Sequence, residues 1–167
     1  LIDRGVDVTI VTESWDGGEV AGLSRLVLPK SRGFGRAARL ARFQRAASAA
    51  IAGGGFDLVQ SHERMTGVDL FRAGDGVHTT WVERLGRERG RLRAGLLRLD
   101  PMHRLIMATE RAMAADERIT FVANSELVAR ELRDVLGVPE ARLRLIENGV
   151  DLDRFRPASA EERARAR

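Results

Sequence analysis

Residues 118–157, RITFVANSELVARELRDVLGVPEARLRLIENGVDLDRFRP, read as strand, polar tip, helix, short turn, strand and an Asn-Gly-Val-Asp exit. That order constrains the fold more than any other feature of the chain. Ile119, Phe121 and Val122 form a short apolar run of the kind buried on both faces of a parallel sheet. Asn124-Ser125 follows as a cap for a helix with Val128, Leu132 and Val135 on its apolar face. Gly137 ends that helix, Pro139 keeps it ended, and Leu143 to Ile146 makes the next strand, which runs out into Glu147-Asn148-Gly149.

The rest of the chain repeats this alternation. Leu1 to Gly5 reads as a last helical turn closed by glycine. Val6 to Val11 is a β-branched run ending in the polar tip Thr12 to Asp16, and Leu23 to Leu28 is a second strand closed by Pro29. From Phe34 to Ile51 the period becomes helical. Leu40, Phe43, Ala47 and Ile51 share one stripe, and Arg39, Arg42 and Arg45 lie on the opposite side. Phe56 to Ser61 reads as a third strand ending at His62-Glu63, and Val68 to Ala73 as a fourth ending at Gly74-Asp75-Gly76. Thr79 to Arg98 reads as an arginine-rich helix with a turn near Gly90. Pro101 to Ala115 is a helix with Met102, Leu105, Ile106 and Met113 inward. Ala158 to Arg167 has no apolar face and reads as a frayed helix or the start of a further segment.

Strands alternating with helices of ten or more residues imply parallel pairing through right-handed crossovers. The fold expected is therefore α/β, a Rossmann-like parallel sheet with helices on both faces. Ligands of such sheets bind outside the carboxyl ends of the strands. That rule gathers Ser14, Trp15, His62, Glu63, Asp75, His78, Asn124, Ser125 and Asn148 onto one rim, although they are far apart in sequence.

Each of these residues has a structural reading beside a functional one. Asp75 stands between two glycines, where the backbone bends sharply and presents a carboxylate, or else it turns the chain before a helix. His62, followed by Glu63, offers a ring nitrogen to a ligand hydroxyl or phosphate, or serves as a structural donor. His78 contacts the ligand or caps the next helix. Trp15 beside Ser14 stacks on an apolar ligand face or plugs the sheet edge. Asn124-Ser125 is a helix cap first and an anion ligand second. Asn148-Gly149 reads as a hinge turn, and His103 as structural.

The 167 residues suffice for one domain with a real core. With no cysteine, disulfides, thiolate metal sites and cysteine nucleophiles are excluded. Three scattered histidines do not form a metal site either. No apolar run is long enough for a bilayer-spanning helix. Basic residues outnumber acidic ones 28 to 24, and Lys30 is the only lysine, so the pI near 10.9 reflects arginine usage more than a large net charge. Two segments concentrate that usage: Arg32, Arg36, Arg39, Arg42 and Arg45, and then Arg84, Arg87, Arg89, Arg91 and Arg93. These read either as contacts to anionic headgroups and other phosphorylated ligands or as solvated helix faces. Alongside an enzyme, the residues also admit a non-catalytic arginine-rich α/β module that holds nucleic acid or an anionic membrane.

Three stretches resemble a known family. GVDVTIVTESWDG, MTGVDLFRAGDG and IENGVDLDRFRP, at residues 5–17, 65–76 and 146–157, are similar to segments of the amino-terminal half of family 4 glycosyltransferases of the two-domain GT-B fold. Within that family the likeness is nearest to the group that glucosylates the inner-core heptose of lipopolysaccharide. The resemblance implies an acceptor-binding domain over residues 1–150, with residues 151–167 beginning the interdomain linker. The family's first strand, its glycine-rich loop and the donor-binding second domain are expected to lie outside these residues, so this chain alone is expected to be inactive.

The implied activity is retaining transfer of a hexose from a nucleotide sugar to a lipopolysaccharide-core or other cell-envelope glycan, or to a lipid-linked acceptor. Asp75 takes the acceptor-orienting position. The acceptor proton passes to the departing donor phosphate, so an orienting carboxylate suffices there. No metal or other cofactor and no nucleic-acid partner is expected. The implied location is the cytoplasm, peripheral to the inner face of the plasma membrane.

Overall fold

The computed structural model describes residues 1–90, 95–97 and 99–165. Strands β1 (Val8–Thr12) and β2 (Leu23–Val27) pair in parallel as one sheet. Strands β3 (Gln60–Ser61), β4 (Leu70–Ala73), β5 (Thr120–Ala123) and β6 (Leu143–Leu145) form a second parallel sheet in that order. The helices are α1 (Arg36–Gly53), α2 (His78–Arg89), α3 (Pro101–Ala115), α4 (Glu126–Leu136) and α5 (Ala160–Arg165). All pairs are parallel, with Ala73 opposite Ala123 and Ala123 opposite Leu145, so the strand ends come out together. The parallel α/β architecture read from the alternation is the one observed, although the hydrogen bonding divides it into two sheets.

The two sheets share one core. Leu28 just past β2 and Ala47 of α1 are buried in the same cluster as Met65, between β3 and β4, and Phe71, Phe121 and Leu143 of the second sheet, and Val11 of β1 packs against it. Phe71 and Phe121 meet edge to face at 5.9 Å and 84°, which adds about 1 kcal/mol to the burial of the two rings.

Local signals account for most boundaries. Asp100 accepts from the amides of Met102 and His103 and, with Pro101 in the first turn, starts α3. Ser125 accepts from Val128 N at 3.3 Å to start α4, and Gly137, left-handed at φ 69°, ends it. Gly5 closes a 3₁₀ turn over Ile2–Arg4 in the same way.

Four expectations need correction. The third strand does not run from Phe56: Asp69 Oδ2 holds Val59 N at 2.7 Å, Leu58 faces solvent, and pairing is confined to Gln60–Ser61. Val135 is exposed, because the inward stripe of α4 passes through Val128, Glu131 and Leu132 instead. In α3 the inward stripe is Met107, Glu110 and Met113, so an acid occupies a core position. The helix expected over Thr79 to Arg98 begins at His78 and ends at Gly90, φ 93°. Arg91 and Arg93, like the side chain of Arg89, lie outside what is described.

One long-range tie was not legible in the sequence. Arg142 donates to the carbonyls of Ala114, Asp116 and Ile119, closing the carboxyl end of α3 against the entry to β6.

Candidate functional site

The loop from Gly74 to Val77 joins the end of β4 to α2, and it is built with unusual care. Helix α2 has no local side-chain cap. Its exposed amides are instead satisfied from neighbouring helices: Glu131 of α4 accepts from Val77 N at 2.9 Å, and Glu110 of α3 accepts from His78 N at 2.9 Å. Both glutamates are buried, at 4 % exposure for Glu110 and 8 % for Glu131, and each also holds an arginine. Glu131 pairs with Arg84 at 2.5 Å, and Glu110 with Arg64 at 2.7 Å. Carboxylates at the positive end of a helix dipole are favourably placed.

Arg64 is the fastener of this loop. From just beyond β3 its Nε meets Glu110, one terminal nitrogen donates to Gly76 O at 2.9 Å, and the other lies 3.9 Å from Asp75 Oδ2. Asn124, beyond β5, donates to Gly74 O at 3.0 Å and pins the other end. Gly76 sits at φ 74°, and a Cβ there would come within 2.6 Å of Glu131 Oε2.

The Asp75 side chain, held on this fastened loop, is 88 % exposed. At 3.9 Å, with the carboxylate itself in solvent, this is a weak pair, so the carboxylate stays open to a ligand. Asp75 makes no hydrogen bond that starts α2, and the helix-turning role is filled by the two buried glutamates. The loop conformation does use one flanking glycine, Gly76, in the left-handed region.

An aromatic group begins three residues after Asp75. His78 stacks on Trp81 at 5.3 Å and 18°, and its Nε2 lies 2.8 Å from His103 Nδ1. Desolvation, then the neighbouring His103 and Arg64, push the His78 pKa down to about 4, so its ring is neutral at neutral pH. It does not cap α2 through its side chain. His103, read as structural, is the partner of His78.

The remaining rim residues divide. His62 contacts Gln60 Nε2 at 3.1 Å and stays exposed, and Glu63 closes a small turn with Ser61 Oγ. Ser125 is the cap of α4, as its sequence position suggested, whereas Asn124 ties loops together. Asn148 Oδ1 is bound by the Arg72 guanidinium of β4. Ser14 and Trp15 lie just past β1 of the smaller sheet. Trp15 folds back over its own loop, its indole donating to Gly18 O at 3.4 Å with Arg25 over its ring, and among the described residues it makes no hydrogen bond or ring contact with the Asp75 group. Sequence reasoning missed Arg64, Glu110, Glu131 and Trp81. The one available signal was an acid at a core-stripe position in each of α3 and α4. Among the described residues no group of three or more His, Asp or Glu side chains is arranged to hold a metal ion.

The family model for glycosyltransferase family 4 matches residues 1–154. The chain belongs to glycosyltransferase family 4. Among solved structures, this family 4 chain is similar to WaaG, a glycosyltransferase involved in lipopolysaccharide biosynthesis, with a TM-score of 0.76 at 21 % identity over 92 % of its own length. It spans 40 % of the WaaG chain, and the likeness bears on the fold, that of one half of a GT-B glycosyltransferase. No curated protein matches it significantly. No helix among the described residues is long and apolar enough to cross a membrane.

Proposed function

We propose that the chain is the acceptor-binding half of a retaining glycosyltransferase that moves a hexose from a nucleotide sugar to a cell-envelope glycan, with a lipopolysaccharide-core or lipid-linked saccharide as acceptor. The observation that carries this reading is Asp75: an exposed carboxylate at a parallel-strand end, on a loop fastened by Arg64 and Asn124 and leading into the helix that carries the His78–Trp81 stack. An acceptor hydroxyl donates to Asp75, which orients its oxygen toward the donor sugar. The proton passes to the departing donor phosphate as the new bond forms, so no strong base is required. Trp81, half-exposed, offers a ring face to sugar C–H groups. His62 and Glu63, past β3, bound the acceptor on one side of Asp75, and Asn148, past β6, bounds it on the other. Ser14 and Trp15, from the smaller sheet, reach an extended acceptor only.

The reading places residues 1–150 as the acceptor domain and 151–167 as the start of the linker. It includes a donor-binding half outside these residues, a cytoplasmic location, and transfer that needs no metal. Transfer is measured on the full-length protein with a panel of nucleotide sugars, wild type against Asp75→Ala. The variant is expected to lose about 10²-fold in transfer with folding unchanged. Undiminished transfer by the variant refutes the assignment. Transfer by residues 1–167 alone refutes the division into halves.

A further inference from the structure

We infer that His78 and His103 act together as a neutral donor–acceptor pair that holds an uncharged, hydroxyl-bearing sugar ring, with His103 positioning His78. This rests on the reading of the Asp75 rim as an acceptor site and names the chemistry that the site accepts.

Three rings meet where α2 and α3 begin. His78 stacks on Trp81 at 5.3 Å and 18° and on His103 at 5.0 Å and 27°, and the centroids of Trp81 and His103 are 5.6 Å apart. The two imidazoles also meet at an edge, His78 Nε2 to His103 Nδ1 at 2.8 Å, a distance that calls for one proton between the nitrogens. Both backbones are anchored. Glu110 accepts from the His78 amide at 2.9 Å, and Asp100, the cap of α3, accepts from that of His103.

What the pair shows to a ligand follows from counting protons. Each neutral imidazole carries one N–H, so two protons are shared among four nitrogens. One proton lies between the rings. The other is on His103 Nε2 or on His78 Nδ1, and the outer nitrogen without it is a bare acceptor. If His78 donates inward, both rings are Nε2–H tautomers; if His103 donates, both are Nδ1–H tautomers. In either case the pair turns one donor and one acceptor outward. Among the described residues neither outer nitrogen has a hydrogen-bond partner, and neither is sealed from water; the side-chain atom that is both buried and unpaired is Thr80 Oγ1.

A sugar hydroxyl is donor and acceptor at once, so neighbouring hydroxyls of one ring satisfy both outer nitrogens. The C–H face of the same ring meets Trp81, which is 46 % exposed. A phosphate or carboxylate offers acceptors only and sets its charge against the bare nitrogen. It gains a second donor only by protonating the pair, which burial of His78, then His103 and Arg64 beside it, oppose. Arg64 also lies 3.9 Å from Asp75 Oδ2 and so links the pair to the reacting end of the site. Asp75 orients the reacting hydroxyl, and the pair grips others of the same saccharide.

The test is a nitrogen-15 spectrum of the histidine side chains of the full-length protein at about pH 8, where ordinary imidazoles are neutral, with His78→Gln and His103→Asn assigning the signals. His78 and His103 are expected in the same tautomer. Methyl α-glucopyranoside, the neutral probe, is expected to shift both outer nitrogens, and inorganic phosphate at the same concentration to leave them unmoved. In transfer, His103→Ala is expected to raise the acceptor KM about ten-fold with kcat within about two-fold, and His103→Asn, which keeps a polar atom at the Nδ1 position, to limit the rise to about three-fold. Unlike tautomers, no response to the glycoside, an equal response to phosphate, or equal KM losses in the Ala and Asn variants overturns the inference. The spectra of the wild-type protein require no transfer, so their failure and the failure of the Asp75 test are told apart.

Discussion

Replacing Glu110 removes the acid on which two parts of the site converge. Its Oε1 accepts both Arg64 Nε at 2.7 Å and His78 N at 2.9 Å, with Oε2 3.2 Å from the same amide. In Glu110→Ala the α2 amide loses its cap, which costs about 1 kcal/mol. The Arg64 guanidinium loses a charge-assisted partner, which costs about 1.5 to 3 kcal/mol. Arg64 is itself largely buried, with a side-chain exposure of 19 %, so it cannot recover full hydration; its escape is toward Asp75 and solvent, which keeps the total near 3 kcal/mol rather than the 5 of a fully enclosed pair. Glu110→Gln retains one acceptor and is expected to cost about half as much.

The measurement is urea unfolding, where the Ala variant moves the midpoint down at unchanged slope, together with a melt lowered by about 6 to 12 °C. A double-mutant cycle with Arg64→Met isolates the pair. If the two act as described, the combined loss falls short of the sum by at least about 1.5 kcal/mol. Additive losses, or an Ala variant within about 1 kcal/mol of wild type, refute the claim that Glu110 holds the loop through Arg64.

Gly76→Ala combines a left-handed φ of 74° with a Cβ 2.6 Å from Glu131 Oε2, so urea unfolding is expected to show a loss of about 2 to 4 kcal/mol; a loss under 1 kcal/mol contradicts the geometry. The depressed pKa of His78, about 4 against an ordinary 6.5, means that the unfolded chain binds this proton first. The histidine's contribution is therefore complete above pH 6.5 and is lost as pH falls toward 4. Full linkage over that interval is about 3 kcal/mol, and screening at a partly exposed ring reduces it to about 1, measurable as a shallower pH dependence of stability in His78→Gln. Ser125→Ala removes the α4 cap and is expected to cost about 1 kcal/mol, read from the same unfolding curves; no change would mean that the 3.3 Å bond is not a working cap.

What the sequence shows well is whatever is encoded within a few residues. The Ser125 cap, the Gly137 stop and the Asp100-Pro101 start are local chemistry, and each falls where its residue type demands. Parallel strand direction follows from the alternation, and with it the convergence of Asp75, His78 and Asn124 on one edge. What stayed hidden is carried by pairs 32 to 54 residues apart: Glu110 with His78, Glu110 with Arg64 and Glu131 with Val77. An acid on a helix's apolar stripe appears in a single sequence as a break in the pattern. Only the folded chain shows that the break faces an arginine and a helix end. The short reach of β3 has a similar origin, since Asp69, ten residues downstream, claims the Val59 amide.

The two borrowed glutamates bear on why Asp75 is free. An aspartate just before a helix ordinarily folds back to accept from the amides two and three residues on, and a carboxylate so used is a poor ligand for anything else. Here those amides are already taken, at 2.9 Å each, by side chains from α3 and α4. Supplying the cap from buried positions costs two desolvated carboxylates, which Arg64 and Arg84 offset. The result is a rigid turn whose only acid points outward, with its strongest neighbour 3.9 Å away. A turn meant solely to reverse the chain has no need of that arrangement, since Asp75 could cap α2 alone and Glu110 and Glu131 could be apolar. This predicts that Glu110→Met paired with Arg64→Met, which removes both charges from the interior, recovers most of the stability lost in Glu110→Ala while leaving the Asp75 loop unfastened and transfer impaired. Recovery of stability and transfer together would show that the loop needs no fastening, and the separation of structural from functional roles argued for these two residues would fail.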